Sequence, residues 1–241
     1  MATLFFLKEG DFINFGTSAF LYGSKNPIEF FKTLKYKSDF KKQNPTYFEP
    51  EGILVFCGSQ GSGKTISAVN YISQLTFTYP DAILCTNTDI ACINPATKVV
   101  EYNGMDSLTN LNNGINGVIY FIDEIHLEFN SLESKNIPIE VFVEVAQQRK
   151  QRKHIIGTSQ VYGRLAKPFR EQIRWVVDCR CFFGALQINR LIDGNTATEK
   201  DGQLYFEKSK PYIWVHTRSL YSGYDTFAKM KRYRKEWNTR G

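Results

Sequence analysis

The chain of 241 residues lacks the features that mark membrane-spanning and disulfide-stabilised proteins. No apolar run approaches about 18 residues, the length that a transmembrane helix needs, and the N-terminus shows neither the basic region nor the cleavage site of a signal peptide. The five cysteines are odd in number and none has C-x-x-C spacing, which argues against a disulfide framework or a zinc site. These absences predict a cytoplasmic protein.

Internal repeats and low-complexity segments are absent as well. Hydrophobic residues make up 42% of the chain and charged residues 22%, which indicates a globular protein and excludes a disordered one. The net charge of +6 is a modest basic bias that suits DNA or another anionic partner without requiring one.

A complete phosphate-binding pattern, G-x-x-x-x-G-K-[ST], spans eight consecutive residues: Gly58, Ser59, Gln60, Gly61, Ser62, Gly63, Lys64 and Thr65. An apolar run at 53–57 precedes it and an apolar-periodic stretch from Ile66 follows, which is the strand–loop–helix context that the motif requires. Glycines allow backbone N–H groups to converge on phosphates, Lys64 reaches the β- and γ-phosphates, and the Thr65 hydroxyl holds Mg²⁺. The sequence predicts a nucleotide-binding segment from Gly58 through Ile66.

The most hydrophobic stretch, residues 117–123, ends in Asp123, and a second acid, Glu124, follows directly. Asp123 at the tip of this predicted strand is expected to lie close to the metal, and Glu124 to orient and deprotonate a water molecule. A kinase for a small molecule presents a substrate hydroxyl at this place, where a water-activating glutamate is out of place. The acid pair therefore favours hydrolysis, while His126 is expected to be a packing or hydrogen-bonding residue.

The predicted strand 154–159 ends in polar residues and is surrounded by arginines. We expect its tip to lie between the phosphate loop and the acid pair, so that Gln160 senses the γ-phosphate or the attacking water. Arginines cluster around this strand at positions 149, 152, 164, 170 and 174. Nothing in the pattern brings them back to their own phosphate loop, which favours action in trans; a solvated basic face or a nucleic-acid patch is the open alternative.

Continuous apolar strands that alternate with helices predict an α/β fold with a mostly parallel sheet flanked by helices. After residue 174 the pattern predicts further strands at 175–183, 186–192, 204–206 and 212–217, which extend the sheet in the antiparallel sense. We divide the chain into an aromatic and lysine-rich appendage (1–50), a P-loop ATPase domain (51–220) and a basic tail (221–241). The appendage is either an arm that binds nucleic acid or a protein partner, or a small helical element whose aromatics pack on the domain.

Three segments together resemble the FtsK–HerA superfamily of translocating ATPases. They are the run from Arg149 to Gln160, the Asp-Glu-Ile-His sequence at 123–126, and the pair Arg170 and Arg174 before the next strand. The combination is most similar to the branch of zonula occludens toxin (Zot)-like proteins and viral assembly and genome-packaging ATPases, over residues 52–182. The resemblance implies a RecA-like core, ATP with Mg²⁺, a homo-oligomeric ring that is often a hexamer, and force applied to DNA or to viral or mobile-element assembly proteins.

Carried over by residue, the resemblance implies that Arg149 or Arg174 contacts a neighbouring subunit's ATP. It also implies that Lys64 and Thr65 bind ATP and Mg²⁺. Asp123 would then lie next to the metal, Glu124 would be the catalytic base, and Gln160 would be the sensor. The chain departs from the family in three ways. Many Zot-like phage proteins have a transmembrane helix after the ATPase domain, and this sequence shows none. The end of the predicted strand 154–159 reads Thr-Ser-Gln instead of Thr-Gln. Residues 1–50 have no counterpart in the family.

Four functions follow from these residues. The leading one is an oligomeric ATPase motor of a phage or mobile element that moves DNA during packaging, transfer or virion extrusion. The second is a Zot-like morphogenesis ATPase that assembles or extrudes virions through a membrane complex without gripping DNA. A small-molecule kinase conflicts with Glu124 and lacks an arginine-rich lid, and a non-catalytic nucleotide-gated module conflicts with the intact site.

Overall fold

The structure, a computed structural model, describes residues 27–200 and 203–223. The chain divides into two compact units, residues 1–45 and 46–241. Helix α1 (Pro27–Gln43) belongs to the first unit, and its Glu29 and Lys32 form an ion pair of 2.8 Å one turn apart. The part of the predicted appendage before residue 27 and the basic tail from residue 224 lie outside the described residues, so their roles stay predictions.

The second unit alternates strands and helices as the hydrophobic pattern predicts. Its strands are β1 (Ile53–Cys57), β2 (Ile83–Thr86), β3 (Val99–Glu101), β4 (Val118–Ile122), β5 (Lys153–Ser159), β6 (Ile173–Phe182), β7 (Leu186–Asp193), β8 (Thr198–Lys200), β9 (Gln203–Tyr205) and β10 (Ser209–Val215). Its helices are α2 (Lys64–Thr78), α3 (Asp106–Asn110), α4 (Ile139–Gln147), α5 (Lys167–Arg170) and α6 (Arg218–Ser222). In the described ranges, no helix is both long enough and apolar enough to cross a membrane.

Eight strands form one sheet in the order β10-β7-β6-β1-β5-β4-β2-β3. The strands from β6 to β3 pair in parallel, whereas β7 is antiparallel to β6 and β10 is antiparallel to β7. The predicted α/β fold with a C-terminal antiparallel extension is therefore confirmed. The long strand β6 joins the two parts, since it pairs with β1 within residues 173–178 and with β7 along residues 175–182.

Two segments differ from the sequence prediction. The strand predicted at 204–206 does not extend the main sheet, because β9 pairs with β8 in a separate two-stranded sheet. Only residues 201–202 separate these strands, and a short connection makes such local pairing cheaper in entropy than a distant one. The Asn and Gly clusters of the polar region 88–116 predict loops with a short insert, and the structure places the edge strand β3 and the short helix α3 there.

The central strands β1, β4 and β5 are buried along their entire lengths, as expected for parallel strands with both faces covered. On one face, Leu54 and Phe56 pack in the same cluster as Val69 and Ile72 of α2. On the other face, α4 contributes buried valines to a second cluster. Two of the cysteines, Cys57 and Cys85, are buried as free thiols in β1 and β2, where they act as small apolar residues.

The topology determines where functional side chains meet. Since β4, β5 and β1 are parallel, their carboxyl ends lie at one edge of the sheet, and β5 lies between the other two as the sequence predicts. The phosphate loop follows β1, the acid pair follows β4, and Gln160 follows β5. Side chains from three distant sequence segments therefore converge at this edge.

Buried His154 in β5 gives the protein a predicted dependence of stability on pH. Its Nδ1 lies 2.6 Å from Gly52 O and its Nε2 lies 3.1 Å from Tyr71 Oη. Burial lowers the pKa of His154 from 6.5 to about 4, against the opposing effect of the Gly52 hydrogen bond. The unfolded chain binds this proton at higher pH than the folded chain, so the stabilisation is complete above pH 6.5 and is lost as the pH falls towards 4.

When the pH is lowered from neutrality to about pH 5, we expect protonation of His154 in the unfolded chain to lower the free energy of unfolding by about 2 kcal/mol. Urea unfolding of the wild type and His154→Gln at both pH values isolates this contribution from that of the carboxylates. The variant should lose less stability on acidification than the wild type. Equal losses in the two proteins would contradict the assignment.

Candidate nucleotide-binding site

The phosphate loop takes the conformation that its glycines allow. Gly63, immediately before α2, has φ of 79°, and a Cβ at this position would lie 2.1 Å from Gln187 Oε1. A side chain at this position is therefore disfavoured by the left-handed backbone and would collide with the buried side-chain amide of Gln187 in β7. Because α2 begins at Lys64, its free N-terminal N–H groups face the concavity of the loop, which suits an anion.

The two reactive residues of the loop point to different partners. Lys64 is buried, and its Nζ donates a hydrogen bond to Ser59 O across the loop at 2.9 Å. The Thr65 hydroxyl donates to Asp123 Oδ1 at 3.2 Å, which links the phosphate loop to the acid pair. Ile66 packs its side chain in the core, so this residue can contribute to nucleotide binding only through its backbone.

Asp123 is fixed by its backbone and by its carboxylate. Its N–H donates to Asn87 Oδ1 at 2.9 Å, and its carbonyl accepts from Asn87 Nδ2 at 3.1 Å. Its Oδ1 also accepts from the Thr158 hydroxyl at 2.6 Å. Burial raises the pKa of Asp123, with the charge of Glu124 acting in the same direction and the bonds from Thr158 and Thr65 opposing it. A buried carboxylate beside a hydroxyl is a donor set that suits Mg²⁺.

Glu124 lies next to this set in a strained backbone conformation. Its φ of 54° falls in the left-handed region, which is uncommon for a residue with a side chain. Its N–H donates to Thr158 Oγ1 at 2.8 Å, and its Oε1 accepts from Gln160 Nε2 at 3.2 Å. The buried Thr158 therefore binds both acids, and Glu124 is held beside the predicted metal position, where a carboxylate can take a proton from water.

Sequence reasoning missed Asn87, Thr158 as a link between the acids, and Gln187. Asn87 follows β2, whose carboxyl end lies at the same edge of the sheet as that of β4. The argument that polar residues at the carboxyl ends of parallel strands meet at one site, which applies to the acid pair, therefore applies to Asn87 as well. Gln187 in β7 donates to Ser62 O at 2.9 Å and to Asn189 Oδ1 at 2.7 Å, and both amide side chains are buried. Two polar residues that are two positions apart in a strand lie on the same face, and this pattern usually indicates an exposed face. From the sequence alone, Gln187 and Asn189 would therefore be expected to face solvent.

Arg149 and Arg174 lie away from the site. Arg149 follows α4 just before β5 begins, and Arg174 is the second residue of β6, so both lie at the amino ends of the parallel strands. A Cβ on Gly52, the residue before β1, would be 3.0 Å from Arg174 Cβ, which confirms this placement. The phosphate loop is at the opposite edge of the sheet, and a strand of the length of β5, seven residues, spans about 20 Å between the two edges. The structure brings neither arginine to its own loop.

The sheet order, the phosphate loop and the acid pair together define a P-loop NTPase fold of the RecA-like type. In fold, the chain is similar to the N-terminal domain of zonular occludens toxin from Neisseria meningitidis, with a TM-score of 0.55 and 15% identity over 72% of this chain and 98% of that chain. This likeness confirms the predicted RecA-like P-loop fold, and at the level of fold it confirms the predicted resemblance to a Zot-like domain.

Two further solved structures match less well. The genome packaging NTPase B204 from Sulfolobus turreted icosahedral virus 2, in complex with ATP-gammaS, has a TM-score of 0.47 and 13% identity over 66% of this chain and 98% of that chain. The flagellar accessory protein FlaH from Methanocaldococcus jannaschii has a TM-score of 0.43 and 9% identity over 74% of this chain and 95% of that chain. No protein-family model matches the chain, and no curated protein matches it.

Proposed function

We propose that this protein is an oligomeric, ATP-hydrolysing motor of a phage or mobile element that drives DNA translocation, packaging or virion assembly. The observation that carries the proposal is the meeting of four side chains at one edge of the sheet. Thr65 lies 3.2 Å from the carboxylate of Asp123, and Gln160 lies 3.2 Å from that of Glu124. The fold shared with the zonular occludens toxin domain supports the class of ATPase.

The residues divide the reaction between them. The N–H groups of the loop and the ammonium group of Lys64 bind the phosphates, and Thr65 and Asp123 hold Mg²⁺, which neutralises negative charge on the phosphates when bound. Glu124 orients a water molecule and accepts its proton. Gln160 contacts Glu124 directly, so a change in the position of either side chain reaches the loop that follows β5. Gln160 is therefore the sensor.

An oligomer completes the site. Arg149 and Arg174 are exposed at the edge opposite the phosphate loop, where each can contact the nucleotide of an adjacent copy in a ring. A guanidinium supplied in this way stabilises charge on the transferring phosphoryl group. The net charge of +6 supports DNA as the substrate that the ring moves.

The fold likeness to a zonular occludens toxin domain also favours a second candidate, a morphogenesis ATPase that assembles or extrudes virions without gripping DNA. The two candidates differ in their response to DNA. A translocating motor binds DNA through phosphate contacts, so its affinity falls steeply as the salt concentration rises. A morphogenesis ATPase turns over ATP at a rate that DNA leaves unchanged.

The test is phosphate release from Mg²⁺-ATP by the purified full chain, with and without single-stranded and double-stranded DNA, together with DNA binding at several salt concentrations. We expect turnover that requires Mg²⁺, is stimulated by DNA, and is accompanied by salt-sensitive DNA binding. Turnover without a DNA response would favour the morphogenesis ATPase. Absence of turnover under every condition would contradict both.

A further inference from the structure

The carboxylate of Glu124 is contacted by side chains from two different elements. Its Oε1 accepts a hydrogen bond from Gln160, which follows β5. Its Oε2 lies 3.2 Å from Nδ1 of His126, which sits in the single turn of 3₁₀ helix at Ile125–Leu127. Within the described residues, Oε2 is buried and accepts no well-aligned hydrogen bond, so a small rotation of the carboxylate towards the imidazole completes this contact.

The hydrogen-bond network determines which nitrogen of His126 carries the proton. The Ser159 hydroxyl donates its hydrogen to Val161 O at 2.9 Å, so its oxygen can only accept from His126 Nδ1, which lies 3.4 Å away. The second neighbour of Nδ1 is a carboxylate oxygen of Glu124, which is also an acceptor. Nδ1 must therefore be the protonated nitrogen, and it faces two acceptors with one hydrogen.

We propose that His126 is a positioning residue for the general base: its Nδ1–H, shared between Ser159 Oγ and Glu124 Oε2, sets the orientation of the Glu124 carboxylate. Through Ser159 and Val161, this orientation depends on the conformation of the segment after β5, which begins with Gln160. Glu124 is thus controlled at both of its oxygens by groups linked to the end of one strand. The inference rests on the proposed role of Glu124 as base.

The surroundings of His126 support this role over simple packing. Its side chain is buried beside Glu124, and the burial lowers the pKa of the imidazole, with Glu124 opposing this effect and nearby Arg164 and Lys64 adding to it. A neutral imidazole offers one donor and one acceptor, so the choice of tautomer matters. A residue that served only to fill space would not need Nδ1 aimed between two oxygens.

The first test is kinetic. Replacing His126 with alanine should reduce kcat for ATP at least about tenfold and leave KM nearly unchanged, because the lost contact acts on the base and not on nucleotide binding. His126→Asn places an amide near the position of Nδ1 and should recover most of the lost rate. His126→Gln, whose amide extends towards the position of Nε2, should not. An alanine variant as active as the wild type, or an asparagine variant no better than alanine, would overturn the proposal.

The second test does not depend on turnover. The chain contains three histidines, so NMR of the full chain with isotope-labelled histidine, assigned by single substitutions, reports the tautomer of each ring. We expect His126 to carry its proton on Nδ1 and its ring signals to shift in Glu124→Gln, in which the carboxylate becomes an amide. An Nε2-protonated ring, or signals indifferent to the Glu124 substitution, would refute the proposal even if ATP hydrolysis itself were absent. Loss of turnover with the expected tautomer would instead count against the proposed function.

Discussion

Replacing Glu124 with glutamine is expected to slow ATP hydrolysis by at least about 100-fold while ATP binding stays nearly intact. Glutamine has the same shape but accepts no proton from water, so the chemical step loses its base. The backbone bond from residue 124 to Thr158 is independent of the side chain, and the neighbouring Asp123–Thr65 contact does not involve Glu124. The fold and the predicted metal-binding pair should therefore survive the substitution.

Single-turnover hydrolysis and equilibrium binding of labelled ATP, measured on the same preparations, separate the two effects. Glu140→Gln is a matched control. It is the same chemical change, and Glu140 is exposed in the first turn of α4, away from the site. In the proposed oligomer, Glu124→Gln should also accumulate an ATP-bound assembly. A hydrolysis rate within about threefold of the wild type would exclude Glu124 as the base.

The sequence predicts the elements that carry the site because their signals are local. Five buried apolar residues before a glycine-rich loop identify β1, and apolar runs ending in acids or in Gln160 identify β4 and β5. Parallel pairing then places all three ends at one edge. That step needs no knowledge of side-chain contacts, and the order β1-β5-β4 follows the prediction.

The residues that support the site are harder to predict, because their roles depend on contacts between distant segments. Gln187 binds Ser62 O although the two lie far apart in the chain, and its strand lies in the antiparallel part of the sheet, between β6 and β10. Thr158 is recognisable as a polar residue near a strand end, but its bonds to the Asp123 carboxylate and to the Glu124 N–H depend on the pairing of β5 with β4. Neither feature has a signature in a short window of sequence.

The arginines illustrate the opposite case, in which composition suggests a cluster and topology divides it. Arg164 follows β5 on the edge that carries the site, whereas Arg149 and Arg174 lie at the amino ends of the strands. The sequence places all three near one strand because β5 is short in residues. In space, its two ends are about 20 Å apart, so only a neighbouring copy could bring the latter two to a nucleotide.

Replacing Lys64 with methionine is expected to weaken ATP binding about 100-fold, which corresponds to the loss of about 3 kcal/mol for a charge-assisted hydrogen bond to phosphate. Methionine keeps most of the apolar length of the buried side chain, so packing at the start of α2 should change little. The bond from Lys64 to Ser59 O is lost as well, but the loop keeps the contact of Ser62 O with Gln187. The effect should therefore be one of affinity and not of folding.

Isothermal titration with a non-hydrolysable ATP analogue measures this affinity, and thermal unfolding without nucleotide checks the fold. Lys150→Met is the control, since Lys150 is an exposed residue in the turn before β5, at the edge opposite the phosphate loop. Lys64→Met and Glu124→Gln should then give opposite phenotypes, the first unable to bind ATP at concentrations that saturate the wild type and the second binding it without turnover. If Lys64→Met bound the analogue as tightly as the wild type, the concavity at Gly58–Thr65 would not be the nucleotide site, and the roles assigned to the acid pair would fall with it.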